Sequence, residues 1–270
     1  MPEGNSGDSC STGKGGLKME ERKLKLVENP PVAELKGVSK SFDRVCALND
    51  VSLTIPEGRI IGLTGPNGSG KTTLLKIMAG FYADYQGSVT IDGLRPGAET
   101  KARVAYLPDK DGLPEDMEVS EMIKLYSTFF DDFNEEKCRT LLGMFEISQK
   151  SMPKEMSKGV IDKLQISLLM SRSARLYLLD EPIGGIDLEA REHVLDLILD
   201  NFNPKGTMLI VTHLVHDIER LFDSVIVLKK GRVAAFDDTD VLRARCGGSL
   251  EEALKEIFRG EPESSQGGGL

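Results

Sequence analysis

The sequence predicts an α/β fold with a mixed sheet core, an antiparallel β-subdomain and an inserted helical subdomain. Three observations predict it. Short apolar runs that fit buried strands end in polar residues, as at 176–181. A glycine-rich loop at 65–72 joins one such run to a helical pattern. Between 119 and 174 the apolar residues recur at helical spacing, and no stretch there has a convincing strand pattern.

The glycine-rich loop has the composition of a phosphate-binding site. With the residue that follows, it reads Gly65, Pro66, Asn67, Gly68, Ser69, Gly70, Lys71, Thr72 and Thr73. Its glycines let successive N–H groups point inward at the start of a helix, whose dipole favours anions. Lys71 is then expected to reach the β- and γ-phosphates, and the Thr72 hydroxyl to hold Mg²⁺. The alternative is an ordinary glycine-rich turn before a helix.

Composition and charge exclude several classes of protein. The chain has 270 residues, enough for one large domain or two small ones, and its 40% hydrophobic content is enough to build a core. A net charge of −9 argues against a nucleic-acid binder that works through a broad basic surface. We expect no signal peptide and no membrane span, because no run approaches ~18 to 20 apolar residues. The four cysteines lack CxxC spacing, so we expect reduced thiols and no zinc site.

Before the loop we expect a tail and two antiparallel strands. Residues 1–30 are rich in Gly, Ser, Lys and Glu, which is typical of a disordered tail or a leader. Alternating apolar residues at 32–38 and 51–55 predict the strands, and Pro-Glu-Gly closes the second. Phe42 ends the first strand, where its ring could stack on a purine or make an ordinary rim contact.

After the loop the pattern predicts a helix at 71–80, strands at 87–93 and 103–107, and then the helical stretch. Pro108 and Asp109 follow the last of these strands. Within the helical stretch, Ser157 precedes a long apolar-periodic segment as an N-cap. By itself this feature indicates only a capped helix.

Two acids close the apolar run that follows the helical stretch. Asp180 is placed at the carboxyl end of a central strand, the edge where α/β sheets bind ligands. It is therefore expected to reach a Mg²⁺ held by Thr72, although an acid there could also cap the next turn. Glu181 is expected to orient or deprotonate a water molecule.

The remaining elements are a helix that begins at Asp187, a buried strand at 208–213 and a hairpin at 224–236. His213 ends the buried strand, but a lone histidine is usually structural. A capping box at 249–252 starts a last helix to Phe258, and a polar tail begins at Gly260. We divide the chain into the leader 1–30, a main domain 31–240 with a helical subdomain at about 112–174, and a C-terminal helix and flexible tail at 241–270.

This ordered set closely resembles the ATP-binding subunits of ATP-binding-cassette (ABC) transporters, over about 31–238. The segments 180–187 and 156–159 look like those of the bacterial exporter branch linked to acetoin utilisation or cell-envelope stress. The resemblance implies a P-loop ATPase domain and two such subunits around two ATP molecules with Mg²⁺. It also implies a homodimer or a pair with a paralogous ATPase subunit, on the cytoplasmic face of transmembrane permease subunits.

The resemblance also assigns roles to residues. Phe42 would stack on adenine, Lys71 and Thr72 would hold phosphate and Mg²⁺, and Asp180 would contact Mg²⁺. Glu181 would act as the base on water, and His213 would touch the γ-phosphate. Asp187 would work across the dimer seam. Ser157 and Gly159 would cap the γ-phosphate of the other subunit's nucleotide, where a helix N-terminus favours an anion.

Two positions depart from the family pattern. The signature normally reads Leu-Ser-Gly-Gly-Gln, whereas here Met156, Ser157, Lys158, Gly159 and Val160 stand in its place. Asp109 replaces the expected Gln after the 103–107 strand; its carboxylate could still bind Mg²⁺ but adds negative charge near ATP. We expect Asp109 to serve both the metal and catalysis.

The leading hypothesis is an ATP-hydrolysing subunit of an exporter that docks on its permease near residues 109–126. Three alternatives stay open: a soluble clamp in translation or DNA repair, a phosphate-loop kinase or GTPase, and a weakly hydrolysing nucleotide-dependent regulator. The first usually needs two cassettes or a coiled coil, and the second a guanine motif; neither is present. Nucleic acid is not an expected partner.

Overall fold

The computed structural model describes residues 31–109, 112–245 and 248–259. The predicted leader at 1–30 and the polar tail from Gly260 lie outside these residues. The first sheet has three antiparallel strands in the order β2-β1-β4. Its strands are β1 Pro31–Phe42, β2 Val45–Pro56 and β4 Gln86–Ile91. The alternating apolar residues of β1 and β2 turn one face of this sheet into the protein.

The second sheet has six strands in the order β5-β6-β7-β3-β8-β9. They are β3 Ile60–Thr64, β5 Val104–Leu107, β6 Leu176–Asp180, β7 Thr207–Val211, β8 Ser224–Lys229 and β9 Arg232–Asp238. All neighbours are parallel except β8 and β9. The carboxyl ends of β3, β5, β6 and β7 therefore meet at one edge, which gathers the loop and the strand-end acids.

Nine helices lie within the described residues. They are α1 Lys71–Met78, α2 Ala98–Lys101, α3 Val119–Phe129, α4 Glu135–Met144, α5 Lys158–Met170, α6 Leu188–Asn201, α7 Val215–Ile218, α8 Thr239–Arg245 and α9 Leu250–Arg259, with 3₁₀ turns at Pro153–Glu155 and Glu219–Leu221. Side-chain caps start several of them. Ser157 accepts from the Val160 N–H and Asp187 from the Ala190 N–H.

The six-stranded sheet is covered on both faces. Along β3, Ile60 packs into one hydrophobic cluster, whereas Ile61 and Leu63 pack into the other. The first cluster also holds α6 and α9; the second holds α1 and the antiparallel sheet. This double burial explains why the strand sequences read as continuous apolar runs. The helical stretch has a third cluster of its own, which includes Met122 and Leu164.

A buried arginine ties the helical stretch to the edge of the large sheet. Arg172 donates to the carbonyls of Val104 at 2.8 Å and Ala102 at 2.6 Å. Its Nε lies 2.9 Å from Asp132, and its guanidinium lies 3.8 Å from the ring centre of Phe130. The orientation of α5, which ends just before Arg172, is thereby fixed relative to β5.

The structure confirms the predicted mixed sheet core, antiparallel sheet and helices, and it shifts several boundaries. The strand predicted at 87–93, for example, spans Gln86–Ile91. The buried strand predicted at 208–213 ends at Val211, where it pairs with Asp180, so His213 lies two residues beyond the strand. The hairpin between β8 and β9 turns at Lys230 and Gly231, both at positive φ. In the part of the chain that the structure describes, no helix is both long and apolar enough to span a membrane.

Candidate nucleotide-binding site

The loop between β3 and α1 is packed so closely that two of its glycines are required. A Cβ on Gly65 would lie 2.1 Å from the Leu228 carbonyl oxygen. One on Gly70 would lie 2.3 Å from the Ala47 carbonyl oxygen, and Gly70 has a φ of +101°. The first helical bond of α1 runs from the Leu74 N–H to the Gly70 carbonyl. The amides before Leu74 therefore lack acceptors within the helix and suit an anion.

Lys71 lies over this loop. Its side chain is buried, and Nζ donates to the carbonyls of Gly65 at 2.8 Å and Pro66 at 3.0 Å. Burial lowers the pKa of Lys71, against the opposing effect of the negative charges on Glu181 and Asp180. The ammonium group is thus held beside two carboxylates at the carboxyl edge of the sheet.

Asp180 is the last residue of β6, and the surroundings of its carboxylate suit the binding of a cation. It is 2% exposed, and among the described residues its Oδ2 has no hydrogen-bond partner. Burial raises its pKa; the charge of Asp109 adds to this, whereas the hydrogen bond from Thr72 and the charge of Lys71 oppose it. A buried carboxylate oxygen beside a threonine hydroxyl matches the protein ligands of Mg²⁺.

The donor set also fits the way proteins hold Mg²⁺ with a phosphate substrate. In the described ranges no three His, Cys, Asp or Glu side chains converge as a metal-binding group. Mg²⁺ in such sites takes one or two carboxylates and completes its coordination with phosphate and water. Thr72 and Asp180 therefore fit Mg²⁺ that arrives with ATP.

Glu181 and His213 are 32 residues apart in sequence and meet at the strand ends. The His213 N–H donates to Glu181 Oε2 at 3.2 Å, and His213 Nε2 lies 3.3 Å from Oε1. Burial raises the pKa of Glu181, and the hydrogen bond from His213 opposes this. Glu181 also has a φ of +53°, a strained backbone state for a residue with a side chain. Such strain is typical of functional positions.

Asp109 lies two residues after β5, exposed to solvent at the same edge. Its negative charge contributes to the raised pKa of Asp180, of Glu181 and of Tyr106. The structure thus places the acid that replaces the family's Gln close enough to act electrostatically on both strand-end acids.

Phe42 is exposed at the end of β1, and its ring contacts Tyr82 and Lys40, which no sequence motif marks. Its ring centre lies 5.3 Å from that of Tyr82, at an interplanar angle of 67°. The Nζ of Lys40 lies 4.7 Å from the Phe42 ring centre and donates to the Asp84 carbonyl at 2.9 Å. These contacts span some 40 positions of the chain and leave no periodic signal in the sequence.

Ser157 and Gly159 stand at the start of α5, which packs against the segment that leads into Asp187. Ser157 caps α5, and a Cβ on Gly159 would lie 3.0 Å from the Gly185 carbonyl oxygen. Asp187 caps α6, and the N–H of Ala190 lowers the pKa of its carboxyl. Within 31–109, 112–245 and 248–259, no hydrogen bond joins Ser157 or Gly159 to the loop at 65–73.

A parallel sheet with a Gly-x₄-Gly-Lys-Thr loop after one strand and an Asp-Glu pair after another defines a P-loop nucleoside triphosphatase. The particular family follows from comparison with known proteins. The family model described as "ABC transporter" matches residues 48–184. The chain belongs to the ABC transporter family, as an ATP-binding subunit with ATPase activity.

Relatives support this assignment. The ABC transporter ATP-binding protein YtrB of Bacillus subtilis is 33% identical over 78% of this chain and 73% of its own length. The tungstate uptake system ATP-binding protein of Peptoclostridium acidaminophilum is 32% identical over 75% of this chain and 97% of its own. A solved structure of the ATP-binding subunit of an ABC transporter superposes with a TM-score of 0.77 at 28% identity, covering 84% of this chain and 99% of its own. A soluble clamp, a kinase or a GTPase is not favoured by these relatives.

Proposed function

We propose that this chain hydrolyses ATP at a seam between two ATPase subunits and thereby drives transport through separate transmembrane permease subunits. One observation carries the proposal. The groups that suit ATP binding and hydrolysis surround the 65–72 loop, whereas Ser157, Gly159 and Asp187 lie elsewhere and make no hydrogen bond to that loop among the described residues. A second subunit gives this second set a nucleotide to contact.

The loop side binds and polarises the triphosphate. The amides at the start of α1 and the Lys71 ammonium receive the β- and γ-phosphate oxygens. Thr72 and Asp180, with Asp109 nearby, would hold Mg²⁺, which when bound neutralises charge on these phosphates. The ring of Phe42, which is exposed, stacks on adenine, while Lys40 Nζ lies over the ring and Tyr82 meets it edge-on.

Glu181 accepts the proton of the attacking water. Burial raises its pKa toward the working pH, which favours a general base. The N–H and ring of His213 hold this carboxylate in place, and His213 is exposed enough to contact the γ-phosphate as well. The negative charge of Asp109 also raises the pKa of Glu181 and of Asp180.

The signature side completes the second subunit's site. Ser157 and Gly159 stand at the N-terminus of the 13-residue helix α5, whose first N–H groups and dipole favour a γ-phosphate. Lys158 replaces the first glycine of the family signature and adds a positive charge at the same helix end. Asp187 meets the same seam from the start of α6.

The partners we propose are a second copy or a paralogous ATPase subunit, and permease subunits that dock near residues 109–126 on the cytoplasmic face of the membrane. For the direction of transport we propose export, on the resemblance of 180–187 and 156–159 to the exporter branch. A relative named for tungstate uptake has nearly the same identity as YtrB. Direction is therefore tested by measuring which side of a reconstituted vesicle gains substrate.

Glu181→Gln tests the proposal, because it removes the base but keeps the shape of the site. With ATP and Mg²⁺ this variant is expected to elute as a dimer on gel filtration and to lose hydrolysis. Glu181→Gln combined with Lys71→Ala, which removes the phosphate contact, is the control and should stay monomeric. Monomeric elution of Glu181→Gln at saturating ATP would contradict the proposed dimer.

A further inference from the structure

The loop that carries Asp187 is held from two sides. We call residues 184–187 the seam loop. The Gly185 N–H donates to Asp162 Oδ2 of α5 at 3.0 Å. A Cβ on Gly185 would lie 2.4 Å from that same oxygen, so glycine permits this close approach. On the other side, the carbonyl of Ile186 accepts a hydrogen bond from Arg191 Nε at 3.0 Å.

Arg191 makes a second contact, which reaches the His213 side of the site. Its Nη1 donates to Asp217 Oδ2 at 2.6 Å, and both side chains are partly buried. Asp217 lies on α7, which begins two residues after His213. One guanidinium therefore touches both the seam loop and the helix that follows His213. Charge-assisted bonds of this kind are among the stronger polar contacts in proteins.

These contacts form a continuous chain through three parts of the site. It runs from α5 through Asp162 to the seam loop, and from there through Arg191 and Asp217 to α7. His213 in turn holds Glu181 through its own N–H. A shift of α5 can thus reach Glu181 through these hydrogen bonds and the short backbone segment between His213 and α7.

We propose that Arg191 is a positioning residue that couples the seam loop to His213, so that contact of α5 with the second subunit's ATP sets the geometry of Glu181. The inference rests on the proposed function, since only a dimer brings a nucleotide to α5. The planar fork of arginine suits the task, because it bonds two acceptors at once and stays charged.

A nearby ion pair offers a matched control. Arg220 Nη2 lies 3.1 Å from Asp196 Oδ1 and joins α6 to the 3₁₀ turn directly after α7. It thus links nearly the same elements as the Arg191 pair. Both of its side chains are exposed, and in the described part of the chain Arg220 makes no hydrogen bond to the seam loop. If a fall in kcat came only from weaker packing between these helices, both arginine variants would show it.

The first measurement is steady-state hydrolysis by Arg191→Met, Arg191→Lys and Arg220→Met. Methionine keeps an apolar side chain of similar length and removes the charged guanidinium group. Arg191→Met is expected to lower kcat by about 2- to 30-fold with KM unchanged, the range expected for residues along a coupling network. Lysine keeps the charge but not the two-pronged geometry, so it should recover only part of kcat. Arg220→Met should match wild type.

The second measurement is amide hydrogen exchange on nucleotide-free protein. Arg191→Met is expected to speed exchange in peptides that cover Gly185 and the His213 amide, and Arg220→Met is not. Unchanged exchange at both places, equal effects of the two arginine variants, or a rise in KM alone would overturn the inference. Absence of the ATP dimer in Glu181→Gln would instead overturn the proposed function. The hydrogen-exchange measurement does not require the dimer. It therefore tests, independently of the proposed function, whether Arg191 holds the seam loop and the segment at His213.

Discussion

Replacing Asp180 by Asn is expected to stabilise the nucleotide-free protein while weakening its response to MgATP. The Asp180 side chain is 2% exposed, and no described residue hydrogen-bonds its Oδ2. Burial raises its pKa above the value of about 3.9 in an unfolded chain. The folded state therefore binds the proton more tightly than the unfolded state. Stability that is fully present at low pH is lost as the pH rises through the folded-state pKa.

The size of the effect follows from the unpaired oxygen. A buried polar group without a partner costs about 1 to 3 kcal/mol. Attraction to Lys71 and the hydrogen bond from Thr72 offset part of this cost. We therefore expect a net gain of about 1 to 2 kcal/mol at pH 8 in the asparagine variant. For a chain of this size that corresponds to a rise in Tm of about 2 to 8 °C.

The assay is thermal unfolding between pH 5 and pH 8, with a chelator and without nucleotide. The gain of Asp180→Asn over wild type should be largest at pH 8 and shrink as the pH falls. Asp187→Asn is the control, because hydrogen bonding lowers the pKa of that exposed acid and asparagine caps a helix equally well. It should show no gain at pH 8. A gain for Asp180→Asn that grows toward pH 5, or no gain at pH 8, would refute the reasoning.

Two further substitutions test the two ends of the nucleotide site. Phe42→Ala is expected to weaken ATP binding by about 1 to 3 kcal/mol through lost base stacking, with inorganic triphosphate bound as before; equal losses for both ligands in titration calorimetry would show that the ring does not meet the base. Gly70→Ala places a Cβ 2.3 Å from the Ala47 carbonyl oxygen at a φ of +101° and is expected to abolish ATP binding and lower Tm. Gly68→Ala is its control, because Gly68 also has a positive φ, of +77°, but nothing lies within 4 Å of its added Cβ. The two variants share the backbone strain and differ in the clash, so similar ATP affinities would contradict the packing argument.

Local patterns predicted most of the elements correctly. The run at 60–64 and the glycines after it gave the strand and loop, because buried strands and tight turns each restrict residue type locally. The cap at Ser157 was also predicted correctly, since a side-chain cap needs only residues within one turn. The helix predicted to begin at Asp187 begins at Leu188, with Asp187 as its cap. The end of β7 was placed two residues too far, because Thr212 is buried like the strand before it. Periodicity reports burial and does not report where pairing with a neighbouring strand stops.

The α/β class, the phosphate loop and the strand-end acids could all be predicted from the amino-acid sequence, and the order of its motifs carries the resemblance to ABC ATPases. The contacts between distant segments became visible when the elements were packed together. These are the hydrogen bond of His213 with Glu181, the bridge of Arg191 between Ile186 and Asp217, and the aromatic contact of Phe42 with Tyr82. The physical reason is that hydrophobic spacing shows which face of an element is buried. Which polar groups meet across faces depends on how whole elements pack, and no local pattern encodes that.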